Sequence, residues 1–257
     1  MNNIIQFLID TNMTAKYLIA GSALVCYYYS QKGKKDVKNM WKYVNNISTS
    51  HAIIISTICS LYLNNNISPN FLSNGLAISM GYMINDTNTL WKYKMSFRRV
   101  YTVHHIIVIL GEIIVISNIN NKLYSTLLAW GLLSEISTIF LNDCHKLVKG
   151  KREKSVRFLI SSTLLLATYT YFRIGTFTWI TNIVYNTSRL HKFLPLVFTI
   201  TGMNYLWYGV LCKKYVRSWI NYVEDGQIVS DPVIEIENDN DYDNDNEIEN
   251  EIKNYNN

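Results

Sequence analysis

The stretch VYTVHHIIVILGEIIVISNI, Val100 to Ile119, decides the fold. It carries one formal charge, Glu112, and two histidines in twenty residues. An α-helix needs about 17 to 25 mostly apolar residues to cross a bilayer. The same count, taken outward along the chain, finds further runs at 17–30, 47–63, 67–85, 123–141, 158–185 and 194–212. The first ends in Tyr27-Tyr28-Tyr29, which suits an interfacial aromatic anchor. The third carries Ser68, Pro69, Asn70 and Ser73 on its entry side. The sixth is long enough to tilt or to include an interfacial stretch. The expected fold class is therefore an all-α membrane protein with about seven transmembrane helices.

The average composition hides this. The chain has 257 residues, 49% of them hydrophobic, and a mean hydropathy near zero. The tail from Glu224 to Asn257 is almost entirely Asp, Glu, Asn and Ile, and it lowers the mean of a more apolar body. Elsewhere charges fall in clumps between uncharged runs, as a bilayer demands when each buried ionisable group costs roughly 3 kcal/mol on insertion scales. Cys26, Cys59, Cys144 and Cys212 are solitary, without the Cys-x-x-Cys spacing of a zinc or redox site, and read as apolar fillers. The beginning lacks a cationic region and Asp10 precedes the first apolar run, so that helix is expected to remain in the mature protein.

Basic residues give an independent check on the count, because cytoplasmic loops collect Lys and Arg. Lys32, Lys34, Lys35, Lys38 and Lys42 follow the first run; Lys92, Lys94, Arg98 and Arg99 the third; Lys146, Lys149, Lys151, Arg152, Lys154 and Arg157 the fifth; Lys213, Lys214 and Arg217 the seventh. On the opposite side stand only Lys16, Lys122, Arg189 and Lys192. Seven crossings thus predict a cytosolic C-terminus. The expected organisation is an N-terminal helix and basic loop (1–40), a transmembrane domain (41–217) and an acidic, Asn-rich disordered tail (218–257). The loops are too short for a soluble catalytic domain, so chemistry belongs inside the bundle or at its mouth.

Ionisable groups within a crossing mark function first, because their cost must be met by partners in the bundle interior. His51 lies one turn into the second run, Asp86 closes the third, and His104-His105 open the fourth with Glu112 two turns deeper. Glu135, Thr138 and Asn142 share a face of the fifth. Arg173 is deep in the sixth and Asn204 midway along the seventh. In the derived orientation His51, Asp86, His104, His105, Glu135 and Asn142 reach one depth from four helices, which predicts a polar pocket open to the cytosol. Arg173 lies further from that side and needs a counter-charge of its own; Glu112 is a candidate if the two helices adjoin. The bland alternative for Glu135 and Arg173 is a buried structural ion pair. A histidine-ligated metal centre fails on count, since the chain has five histidines and His145 and His191 fall outside the runs.

The order of motifs resembles the TLC-domain family, which includes ceramide synthases and translocation-associated membrane proteins. The matching elements are Ser50-His51-Ala52, the stretch Gly81 to Asp86, His104-His105, GLLSEISTIFLN from Gly131 to Asn142, Tyr171 to Ile174, and Met203 to Trp207. The likeness covers about Trp41 to Arg217 and is nearest to the small members made of this domain alone. Ceramide synthases follow the His-His segment with an Asp-rich stretch and an acidic pair in the next helix, where this chain offers Glu135 and Asn142, and no homeobox-like insert separates the first two runs. The resemblance implies six helices in a barrel around a lipid cavity with one N-terminal helix outside, and residence in the endoplasmic reticulum. It also implies membrane lipids as partners, with no nucleic acid and no cofactor. The expected function is to bind lipid or acyl chains and influence membrane lipid composition. The alternative is an acyltransferase that takes acyl-coenzyme A as substrate, with His104 or His105 as nucleophile or base and Asp86 or Glu135 behind the imidazole.

Overall fold

The computed structural model describes residues 13–32, 40–93 and 98–224, and the acidic tail from 225 onward lies outside the described residues. Among the described residues there are helices and no strands. We number them α1 (Met13–Lys32), α2 (Met40–Leu63), α3 (Pro69–Lys92), α4 (Arg98–Ser117), α5 (Lys122–Leu132), α6 (Ile136–Lys149), α7 (Val156–Thr168), α8 (Thr176–Asn186) and α9 (Leu194–Glu224). A 3-10 turn, Leu133–Glu135, joins α5 to α6, and a π-helical stretch, Tyr169–Gly175, joins α7 to α8. Each pair makes one rod, so the described helices form seven rods, one for each apolar run. The rods overrun the runs, most of all on the basic side, where α6 continues to Lys149 with His145 inside it and α9 to Glu224.

Four rods are long and apolar enough to cross a membrane: Lys42–Leu63, Arg98–Ser117, Lys122–Lys149 and Ser188–Ile220. Three differ for local reasons. The apolar part of α1 is short, Tyr17–Tyr28; α3 carries Asn70, Asn74, Asn85, Asp86 and Asn88 along its length; and the sixth rod places Arg173 and a row of Ser, Thr and Tyr residues within its run. The architecture is that of an all-α membrane protein.

Turn chemistry sets the rod ends. The Ser68 hydroxyl accepts from the Phe71 amide at 3.3 Å with Pro69 behind it, so α3 begins with a cap and a proline whose missing N–H costs nothing there. Asn121 and Ser155 cap α5 and α7 in the same way, accepting from Tyr124 and Phe158. Asn65 (φ 58°) and Lys151 (φ 51°) take left-handed backbone where the chain reverses after α2 and α6.

Packing is inverted relative to a soluble protein. Large apolar side chains such as Ile53, Ile106, Ile160, Phe198 and Leu206 are exposed, while His51, Asn85, His104, His105, Glu112, Glu135, Arg173 and Asn204 are buried. One apolar core joins α2, α3, α4 and α5 through Ile55, Leu72, Leu76, Val115 and Ala129. A second joins α6, α7 and α9 through Cys144, Phe158, Leu165 and Tyr215. The first rod stays outside the bundle and lies mainly on α3. A Cβ at Gly81 would collide with Ser22 Oγ and the Ile19 carbonyl oxygen, so the absent side chain is what lets α1 and α3 touch.

Candidate functional site

Two irregular turns face each other in the middle of the bundle. Glu135 ends the 3-10 turn of the fifth rod, and Arg173 sits in the π-helical stretch of the sixth. A π-helical stretch fits an extra residue into the helix, the kind of local distortion that recurs at functional positions. Arg173 Nη2 lies 3.3 Å from Glu135 Oε1 and donates to Thr138 Oγ1 at 2.9 Å. Its Nε donates to Ser137 Oγ at 2.9 Å, and Nη1 reaches Asn204 Oδ1 at 3.5 Å. Thr138 donates to the other carboxylate oxygen, Oε2, at 2.8 Å, and the Tyr169 ring lies 5.3 Å from the guanidinium carbon. Every charged atom of the pair therefore meets polar partners, as a buried ion pair requires. Glu135, not Glu112, answers Arg173, which is the buried ion pair of the alternative reading; the π-helical stretch and the 3-10 turn stand opposite one another.

The histidines come next to this pair. His105 Nε2 lies 3.5 Å from Asp86 Oδ2, and its Nδ1 meets Thr87 Oγ1 at 2.8 Å, so two consecutive residues of α3 hold both ring nitrogens. His104 packs edge-on against Trp207 of α9, ring centroids 5.6 Å apart, and its buried Nδ1 has no hydrogen-bond partner. His51 stacks on Tyr82 at 3.9 Å and meets Ser79 Oγ at 2.9 Å. Glu135 lies close enough to His51 and His104 to act on both electrostatically. His51, Asp86, His104, His105, Glu135, Thr138, Arg173 and Asn204 thus form one polar region, buried but for the half-buried Asp86 and Thr138.

Two predicted members stand apart. Asn142 Nδ2 donates to Ser48 Oγ at 3.0 Å and Thr49 Oγ1 at 3.1 Å, which makes it a clamp between α6 and α2. Glu112 is fully buried on the side of α4 turned to the Ser79 hydroxyl, which already meets His51. Ser79, Thr87 and Ser137 escaped the sequence reading. Their only signal is a short hydroxyl within an apolar run, a feature shared by many residues here.

Beside the polar region lies an apolar cavity of about 140 Å3, lined by α4, α5, α8 and α9 and partly open to the outside. His104, Ser134 and Glu135 form its one polar end; Val108, Leu128, Phe177, Ile180 and Val197 are among its walls. Gly111 and Gly131 also line it, where a Cβ would already touch Leu128 and Phe177 at 3.4 and 3.5 Å. None of its lining residues comes from α2 or α3. Among the described residues no group of three His, Cys, Asp or Glu could hold a metal ion.

The family model of the TLC domain, named for the TRAM, LAG1 and CLN8 proteins, matches residues 13–213. The chain belongs to the TLC-domain family. The match takes in α1 as well as the six-rod bundle. No curated protein and no solved structure matches the chain. A TLC domain together with membrane-length apolar helices makes this an integral membrane protein associated with membrane lipids.

Proposed function

We propose that this TLC-domain protein binds one acyl chain in the cavity between α4, α5, α8 and α9 and through that binding influences membrane lipid composition. The observation that carries the reading is the cavity itself: a nearly wholly apolar wall ending on His104 and Glu135. Apolar walls take up methylenes, and the few convergent polar groups fix the head of the ligand. On this reading the chain stands with the small TLC-domain-only members, has its basic loops and C-terminus in the cytosol, and resides in the endoplasmic reticulum. The head group then meets the polar region from the basic side.

The test is photolabelling in membranes with a diazirine-bearing fatty acid, with the labelled residues mapped by mass spectrometry. The expected label falls on cavity walls such as Val108, Leu128 and Ile180, is displaced by unlabelled lipid, and is lost in Gly131→Val at unchanged melting temperature. Label spread over outward residues such as Ile106 and Leu206, undisturbed by Gly131→Val, overturns the proposal.

A second reading, acyl transfer from acyl-coenzyme A, is favoured by one observation. His105 is held at both nitrogens by Asp86 and Thr87, while His104, at the cavity end, has a free Nδ1. An imidazole oriented by a carboxylate is the arrangement of a general base, and one with an open ring nitrogen can take the acyl group from a thioester while coenzyme A leaves as its thiol. Lipid profiles of cells expressing the chain or its His104→Ala/His105→Ala variant decide it. A change in acylated products at equal protein level supports catalysis, and identical profiles remove it.

A further inference from the structure

Twelve of the 19 acidic residues lie from Glu224 onward, while the rest of the chain keeps all but one of the 24 cations. Many of those cations meet at one place. Residues 146–157, the end of α6, its turn and the start of α7, carry six, and Lys213, Lys214 and Arg217 on α9 add three. Packing brings the two groups together. Tyr215 of α9 is fully buried in one core with Cys144, Leu147 and Phe158, and Trp219 Nε1 donates to Ser162 Oγ at 2.9 Å. Lys149 of α6 and Lys214 of α9 both act electrostatically on the same residue, His145. Against the nine cations these segments set Asp143, Glu153 and Glu224, and Asp143 is already taken by Arg157 and Ser161, each at 2.6 Å.

Bilayer phosphates reach only part of this end. The apolar run of the fifth rod stops at Leu141, and Lys149 follows eight residues later, about 12 Å along the helix. A headgroup layer adds only about 5–8 Å to the hydrocarbon on each side, so the turn beyond Lys149 stands in water, with Lys149, Lys151 and Lys154 exposed. That turn is also well defined. The Arg152 amide donates to the Leu147 carbonyl at 2.8 Å, and the Ser155 hydroxyl caps α7.

The acidic segment lies outside the described residues, but its sequence is regular: from 235 to 251 every second residue is Asp or Glu, nine in all. In an extended chain alternate side chains share one side, about 6.6 Å apart, so the segment can present a single row of carboxylates. Eleven residues lead to it from Glu224, a reach of at most about 40 Å, and the basic turn is the neighbour of α9 itself.

We propose that segment 235–251 lies along the basic end of α6, α7 and α9 as an intramolecular cover, its carboxylate row facing the cations. No single exposed ion pair holds it, since each contributes little. A row of nine, tethered beside its target, engages many cations at once at high effective concentration. An anionic molecule that approaches this end must then displace the segment first. The inference is independent of acyl-chain binding, and it holds whichever compartment the basic end faces.

The experiment places the full chain, one copy per nanodisc, with a water-soluble carbodiimide, which joins a carboxylate to a lysine amine only where the two touch. In phosphatidylcholine discs at low salt, the expected cross-links run from 235–251 to Lys149, Lys151, Lys154 and Lys214. They vanish in 1 M salt, where the screening length is about 3 Å, and they persist in discs rich in phosphatidylserine. With the nine acids changed to their amides, trypsin cuts after Lys151 and Arg152 several-fold faster than in the wild type. This variant alters no residue of the described helices, and an unchanged melting temperature verifies its fold. Cross-links spread evenly over Lys42, Lys92 and the other basic loops overturn the proposal, as does an unchanged rate of cleavage. Loss of the cross-links in phosphatidylserine discs gives the basic end to lipid and overturns it as well.

Discussion

Removing Arg173 exposes what the centre of the bundle costs. In Arg173→Met, Glu135 keeps only the Thr138 hydroxyl, and the hydroxyl of Ser137 and the amide oxygen of Asn204 lose their donor. Breaking a buried pair from one side costs about 3–5 kcal/mol, because it leaves an uncompensated charge out of water. A protein of this size loses roughly 2–4 °C per kcal/mol, so the melting temperature of the purified variant falls by about 6–20 °C. Glu135→Gln costs less, since the amide oxygen still accepts from Arg173. The informative variant is Arg173→Met with Glu135→Leu, which removes both charges. It should recover at least about 2 kcal/mol relative to the summed single changes, as strongly coupled neighbours do in a double-mutant cycle. Thermal unfolding in one detergent, followed by intrinsic fluorescence, measures all four corners. If the double variant loses the full sum of the single losses, the two groups do not form a pair and the reasoning fails.

Further outcomes test other contacts. Gly81→Val pushes α1 off α3 and lowers stability by about 1–3 kcal/mol, while Gly202→Ala and Gly209→Ala, where a Cβ meets nothing, leave the melting temperature in place; equal effects at all three sites would refute the close approach. Asn142→Ala unties α6 from α2 at a cost of about 1–3 kcal/mol, read as a lower melting temperature, and no change would mean the clamp carries no load. Glu112→Gln, which keeps the shape of a fully buried carboxyl and removes its charge, should unfold no earlier than the wild type, unlike Glu135→Leu alone, which strands the Arg173 guanidinium.

The rods were legible because the bilayer imposes a crude rule: charges must gather at helix ends, and Lys and Arg do so after every second apolar run. His104-His105, Asp86 and Glu135 were legible as expensive residues in apolar surroundings, and they do converge. Partner choice stayed open: Glu112 would have answered Arg173 had the two helices adjoined, the ion pair with Glu135 stood as the alternative, and the facing 3-10 turn and π-helical stretch decide for the latter. Nor does spacing say that Asn142, on the same stripe as Glu135, looks toward α2, or that Ser79 and Thr87 hold His51 and His105, because a hydroxyl in an apolar run carries no label of its neighbour. The cavity was implied only through family likeness, since an absence of atoms leaves no mark in a sequence beyond glycines such as Gly111 and Gly131.

The wide turn in the sixth rod sets a phase as well as placing a guanidinium. A regular helix advances 100° per residue, and the π-helical stretch absorbs one residue of that rotation between α7 and α8. Deleting a single residue there, at Thr170 for example, would return the rod to ordinary pitch and leave Phe177, Ile180 and Val184 close to their present face, while Arg173 would lose the widened turn that carries it to Glu135. The bilayer would still see an apolar cylinder, and insertion would tolerate the deletion. The inner wall would survive and the buried ion pair would not, so the variant would enter the membrane as the parent does and unfold at a lower temperature.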